Sequence, residues 1–210
     1  MKKIFKLSLV MLTLGLATGC TSDEAIAPYK PLFFSQTFEG IEHTGAGQYI
    51  ALEGWSNVSL NGGKKWEARS FTTNGVYEQY AQLSSFGTTE ANMDTWLITP
   101  AINFDLTTNE AFVFDYKAGF YTGQAVSALV STDYDGSNTA AAINAATWTD
   151  LNVSLPDNLP SGYPDNFSNS GVLDLSTYNG NVYIAIRYKG SSTGITTTYE
   201  IDNIKLFENK

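Results

Sequence analysis

From about residue 33 onward, apolar and polar residues alternate in short runs. In "EAFVFDYK", Phe112, Phe114 and Tyr116 share one face while Val113, Asp115 and Lys117 take the other. "AVSALVS" repeats the pattern with Val126, Ala128 and Val130, and "NVYIAIRYK" sets Val182, Ile184, Ile186 and Tyr188 inward against Tyr183, Ala185 and Arg187. A period of two belongs to strands whose sheet buries one face. The runs "FFSQTF", "WSNVSL", "KWEARSF", "YEQYAQLS", "TWLITP", "TWTDLNVSL" and "TTYEIDNIKLF" read the same way. Turn signals such as Asn61-Gly62-Gly63, Asp135-Gly136 and Asn179-Gly180 separate them. In the last run Tyr199 and Ile201 keep one phase and Ile204 and Leu206 the other. An extra residue inserted into a strand shifts the phase this way, which predicts a bulge at Asp202-Asn203. The one helix-compatible stretch, "NTAAAINAA" from Asn138 to Ala146, is short and predicts a loop with one helical turn. The whole predicts an all-β fold, a jelly-roll β-sandwich of two antiparallel sheets.

The first thirty residues follow a different pattern. Lys2, Lys3 and Lys6 precede the apolar run Leu7 to Leu16, and small residues lead to Cys20, the single cysteine. This is a secretory leader, too short to span a membrane as a helix. The ending "ATGC" resembles the lipobox of bacterial lipoproteins, which implies that Cys20 is a lipid anchor and that the membrane is a partner through it. The following Thr21-Ser22-Asp23-Glu24 resembles a short acidic signal that sends some lipoproteins to the outer face of the outer membrane. The expected organisation is a signal peptide over 1–19, a lipidated tether over 20–31 and one β-sandwich domain over 32–210.

Charge narrows the partners. The chain carries 21 acidic and 12 basic residues, three of the latter in the leader. Such a balance repels nucleic acid and excludes it as a partner. At 43% hydrophobic and 13% aromatic residues, the chain has material for a sizeable core and is not a disordered segment. His43 is the only histidine and lies in a Gly-rich loop, so a Ser-His-Asp arrangement or a histidine zinc site has almost nothing to build on. No pair among the acids stands out for glycosidase chemistry, and the reading is that the protein is not an enzyme. Trp55, Trp66, Trp96 and Trp148 lie in strand-like runs and are expected in the core. Asp133-Tyr134-Asp135-Gly136 reads as a tight turn.

The stretches "TFEG", "GWSNVSLNGGKKWEARSF", "DTWLITPAINF", "FDYKAGFYTGQAVSALVSTDYDG", "GVLDLSTYNGNVYIAIRYKG" and "TYEIDNIKLF" resemble the choice-of-anchor J family, related to the cleaved adhesin domains of secreted cysteine proteases. The resemblance covers about residues 33 to 210. It implies a jelly-roll, galactose-binding-like sandwich with an adhesive or glycan-associated role and no catalysis. The segment "IEHTGAGQYIALEGW" is longer than the family pattern. Related modules hold a structural calcium between the first and last strands, and Glu39 and Asp202 match that placement, with Asp94 as a third ligand. Ligand-binding aromatics are expected in loops: Phe120 and Tyr121 in "AGFYTG", Tyr134 in "DYDG" and Tyr163 in "PSGYPDN". The functional expectation is a non-catalytic, adhesin-like surface lipoprotein that binds glycans or host or neighbour surfaces. The alternatives are an accessory protein-binding subunit of a nutrient-capture complex or a carbohydrate-active hydrolase.

Overall fold

The alternating runs become paired strands in a computed structural model that describes residues 31–73, 75–156 and 158–209. The leader, Cys20 and the tether before Pro31 lie outside the described residues. In chain order the strands are β1 (Leu32–Gln36), β2 (Ser56–Asn61), β3 (Glu67–Thr73), β4 (Val76–Leu83), β5 (Met93–Ile98), β6 (Ile102–Asn103), β7 (Glu110–Gly119) and β8 (Val126–Ser131). Helix α1 (Ala140–Ala145) follows, then β9 (Thr149–Asp150), β10 (Ser168–Asn169), β11 (Leu173–Asp174), β12 (Asn181–Gly190) and β13 (Thr198–Glu208). They form two antiparallel sheets. The first has the order β10-β7-β13-β4-β3, with β1 on β13 and β11 on β7; the second has β2-β5-β12-β8-β9, with β6 on β12. This is the predicted sandwich.

The inner faces are those that alternation assigned. Phe112, Phe114 and Tyr116 of β7 meet Val182, Ile184, Ile186 and Tyr188 of β12 in one core, joined by the fully buried Trp66. The outer face of the second sheet is roofed rather than wet. Helix α1 lays Ala142 and Ile143 over Val58, Trp96, Leu129, Tyr134 and Ala185, and Trp148 closes the side. Thr139 starts that helix, its Oγ1 accepting the Ala142 N–H at 3.1 Å.

Two departures from simple alternation matter. Asp202 faces Asp115 while Lys205 faces Val113, so two residues of β13 oppose one of β7. Asn203 takes φ 48° there, and the predicted bulge is present. The run "TWTDLNVSL", expected as a full strand, pairs only over Thr149–Asp150. Asn152 at φ 54° turns the chain, its N–H donating to Asp150 Oδ1 at 2.7 Å, and extended pairing stops.

The lengthened segment 41–55 covers a sheet edge. Gly45 N–H donates to the Ala68 carbonyl at 2.9 Å, and Ala68 N–H donates to the Gln48 carbonyl at 2.7 Å. The Thr44 and Ser70 hydroxyls meet at 2.8 Å. An uncovered strand edge is a template for pairing with another chain. Shortening residues 43–48 to a tight turn is therefore expected to shift the protein to larger species than the parent by light scattering. A variant of the parent's size would remove this role.

Candidate functional site

A groove of about 440 Å³ lies on the outer face of the first sheet. One wall is the turn after β7. Gly119 ends that strand, and a Cβ there would sit 2.4 Å from Tyr163 Cδ1 and 2.8 Å from the Gly162 carbonyl oxygen. Glycine alone lets the Tyr163 ring lie against the strand. Phe120 follows at φ 49°, its N–H donating to the Gly162 carbonyl at 2.9 Å. Its ring is 51% exposed and meets Tyr163 edge to face, centroids 5.4 Å apart. The opposite wall carries Phe86, 77% exposed. Its turn is fixed from below: Ser85 N–H donates to the Tyr188 hydroxyl at 3.0 Å, and Ser85 Oγ donates to the Ile195 carbonyl at 2.7 Å.

The floor is polar. Arg69, Gln82 and Thr198 come from three adjacent strands, with Lys64 and Ser84 at the rim. Burial pushes the Tyr163 hydroxyl above the usual tyrosine value, against the opposing pull of Thr198. Glu200 lies beside this floor, 5% exposed. Burial pushes its carboxyl up to about 7, against the opposing pull of Lys117, Tyr80 and Arg69. Lys117 stays on the same face, its Nζ 4.8 Å from the ring centres of both Phe71 and Phe167.

Of the four aromatics marked in the sequence, the structure brings Phe120 and Tyr163 together. Tyr121 turns inward and packs on the core, its N–H donating to the Leu159 carbonyl at 2.6 Å. Tyr134 is a correction. It is 4% exposed beneath α1, with its hydroxyl donating to the Ser137 carbonyl and accepting from Ser56 Oγ, so it is a core residue. The Asp135-Gly136 turn forms as expected, with Asp135 Oδ1 accepting the Ser137 N–H at 2.7 Å.

The carboxylates divide likewise. Burial raises the Asp202 pKa, and the charge of Glu39 adds to the rise. Each is already engaged: Glu39 Oε1 accepts the Gln79 N–H at 3.0 Å and Asp202 Oδ1 the Asn203 N–H at 2.6 Å. Asp94 is the second correction. It lies on β5 of the other sheet, clamped by the Arg187 guanidinium through Nε and Nη2 and accepting the Trp96 Nε1–H at 2.8 Å. Among the described residues, no three His, Cys, Asp or Glu side chains are grouped to hold a metal ion. Calcium takes six to eight oxygens, and Glu39, Asp94 and Asp202 do not assemble as its site.

Sequence reasoning missed Phe86 and the polar floor. Phe86 had a signal, an aromatic in the Gly-containing turn "SSFGTT". Arg69 and Gln82 had none, because polar residues alternating on a strand read as an ordinary wet face.

A family model described as a domain of unknown function, DUF5017, matches residues 99–210. The chain belongs to that family. The DUF5017 match supplies the Phe120–Tyr163 wall and Thr198, while Lys64, Arg69, Gln82 and Phe86 come from before it. The K2 cleaved adhesin domain of Lys-gingipain is 19% identical to this DUF5017 protein, with a TM-score of 0.55 over 83% of this chain and 98% of that domain. The K1 cleaved adhesin domain of Lys-gingipain from Porphyromonas gingivalis W83 is 16% identical, with a TM-score of 0.52 over 84% and 98%. At such identities the likeness is one of fold. No protein of curated function matches the sequence. Among the described residues, no helix is long and apolar enough to cross a membrane.

Proposed function

We propose that the protein is a cell-surface lipoprotein, anchored through Cys20, whose sandwich binds glycans without catalysis in the groove between Phe86 and the Phe120–Tyr163 pair. The observation that carries this reading is the convergence of three exposed aromatic rings over a floor of amide, hydroxyl and guanidinium groups. Sugar rings present C–H faces that stack on aromatics, and their hydroxyls need the polar partners that such a floor offers. Glycoside hydrolysis requires two carboxyl groups at the bond. Glu67 and Glu200, the acids nearest the floor, are buried rather than part of its lining, which supports binding over hydrolysis.

The test is a glycan-array screen followed by titration of the best ligand. Phe120→Ala and Tyr163→Ala should each weaken binding about tenfold or more, the range that loss of a stacked ring gives in other ligand classes. Variants that melt like the parent and bind like it would overturn the reading, as would an array with no selective binding.

A further inference from the structure

We propose that the groove selects an anionic glycan, one bearing carboxylate or sulfate groups along its sugars. This rests on the glycan-binding reading and deepens it. The chain as a whole is strongly acidic, with a formal charge of −9. The groove departs from that background: among the described residues, its charged lining is Lys64 and Arg69, with no acidic side chain.

Both cations are held where a ligand would meet them. Lys64 Nζ donates to the Ser84 carbonyl at 2.9 Å, which fixes the ammonium at the rim and uses one of its three N–H groups. Arg69 Nε stands 3.7 Å from Glu67 Oε2, an ion pair without a hydrogen bond. Glu67 itself is committed elsewhere, its Oε1 accepting the Gly47 N–H at 3.0 Å. The Arg69 guanidinium therefore remains a planar fork on the floor, the group best shaped for a carboxylate or sulfate.

Beyond the lining, the same face carries Glu67, Glu200 and Lys117, all buried below a tenth exposure, while Glu78, Asp165 and Asp202 surround a separate pocket further along it. Burial favours the neutral form of Glu200, which weakens one of the two acids beside the floor; the other, Glu67, stands against Arg69. Two rim and floor cations in a concave site raise the local potential despite the net charge of the whole. Three aromatic rings beside two cations suit a sugar that carries both an apolar face and a negative group. A neutral glycan has no use for the charge, and an acidic peptide has little use for the rings.

The experiment is calorimetric titration of the purified chain with a galacturonate oligomer, a neutral galactose oligomer of equal length, a sulfated form of the latter and a poly-glutamate peptide. One of the acidic oligosaccharides is expected to bind at least about tenfold tighter than the neutral one, the factor that a single charge-assisted hydrogen bond supplies. The carboxylate and sulfate arms identify which anion is preferred. Affinity should fall as salt rises, and Lys64→Gln with Arg69→Gln should bring acidic and neutral ligands close to parity. Salt dependence is read on the parent chain and needs no variant to fold. Equal or tighter binding of the neutral oligomer would overturn the anionic preference and leave the glycan reading intact. If no oligosaccharide binds, both fall. Poly-glutamate binding as tight as the acidic sugars would overturn the proposal in favour of charge recognition alone.

Discussion

Replacing Tyr134 with alanine is expected to cost about 3–5 kcal/mol of stability, as deletion of a buried aromatic ring does, and to leave glycan affinity unchanged. The ring lies between Trp148 and Tyr183, with centroids 5.5 and 5.0 Å away. Its hydroxyl donates to the Ser137 carbonyl and accepts from Ser56 Oγ at 3.0 Å, tying β2 to the loop that leads into α1. Alanine would leave a cavity under the helix and take the Tyr134 hydroxyl from Ser56 Oγ, while the Ser137 carbonyl keeps the Thr139 N–H at 2.7 Å. In a domain of this size about 1 kcal/mol moves the melting temperature by about 2–4 °C, so the drop should be about 10 °C or more. Tyr134→Phe separates the parts: it keeps the packing, loses the hydroxyl, and should cost about 1–3 kcal/mol. If Tyr134→Ala instead melted like the parent and lost glycan binding, the binding face would be on the second sheet, and the groove beside Phe120 would be wrong.

Tyr134 also shows how far the sequence could be read. Strands β7, β8 and β12 were legible because each alternates cleanly over six or more residues, and the bulge in β13 was legible because it broke the alternation. Phe120 and Tyr163 were legible as rings in Gly-bounded loops. Tyr134 sits in an equally Gly-bounded loop and points the other way. Its direction is decided by α1, which begins six residues later and roofs that side of the sheet. A six-residue helix gives too weak a local signal to predict such a roof. Asp94 went astray for a related reason. Its partner Arg187 is 93 residues away, and only the pairing of β5 with β12, which sets Arg187 opposite Trp96, brings them together.

Melting temperature is expected to fall as pH rises from 5 to 8, with the loss carried by Glu200 and Asp202. Both are almost fully buried, 5% and 7% exposed, and burial pushes each carboxyl up to about 7. At Asp202 the Asn203 N–H opposes the rise, while the charges of Glu39, Asp115 and Glu78 add to it. A carboxyl raised in the folded state is preferred protonated there. Its contribution is complete below the unfolded value near 4 and is lost as pH climbs through 7, at about 1.4 kcal/mol per pH unit for each group. Asp133 and Asp174 work the other way: hydrogen bonds from Ser131 and Ser176 lower them, so their contribution disappears only below the ordinary carboxylate range. They leave the window from 5 to 8 untouched. Glu200→Gln and Asp202→Asn should therefore each raise the melting temperature at pH 8, change it little at pH 4, and together flatten the profile. Calorimetric scans of parent and variants across this range decide the matter. A cation bound between Glu39 and Asp202 would reverse the sign at Asp202, because it would hold that carboxylate ionised: Asp202→Asn would lower the melting temperature at pH 8, added calcium would raise that of the parent but not of Asp202→Asn, and Glu200→Gln would still raise it.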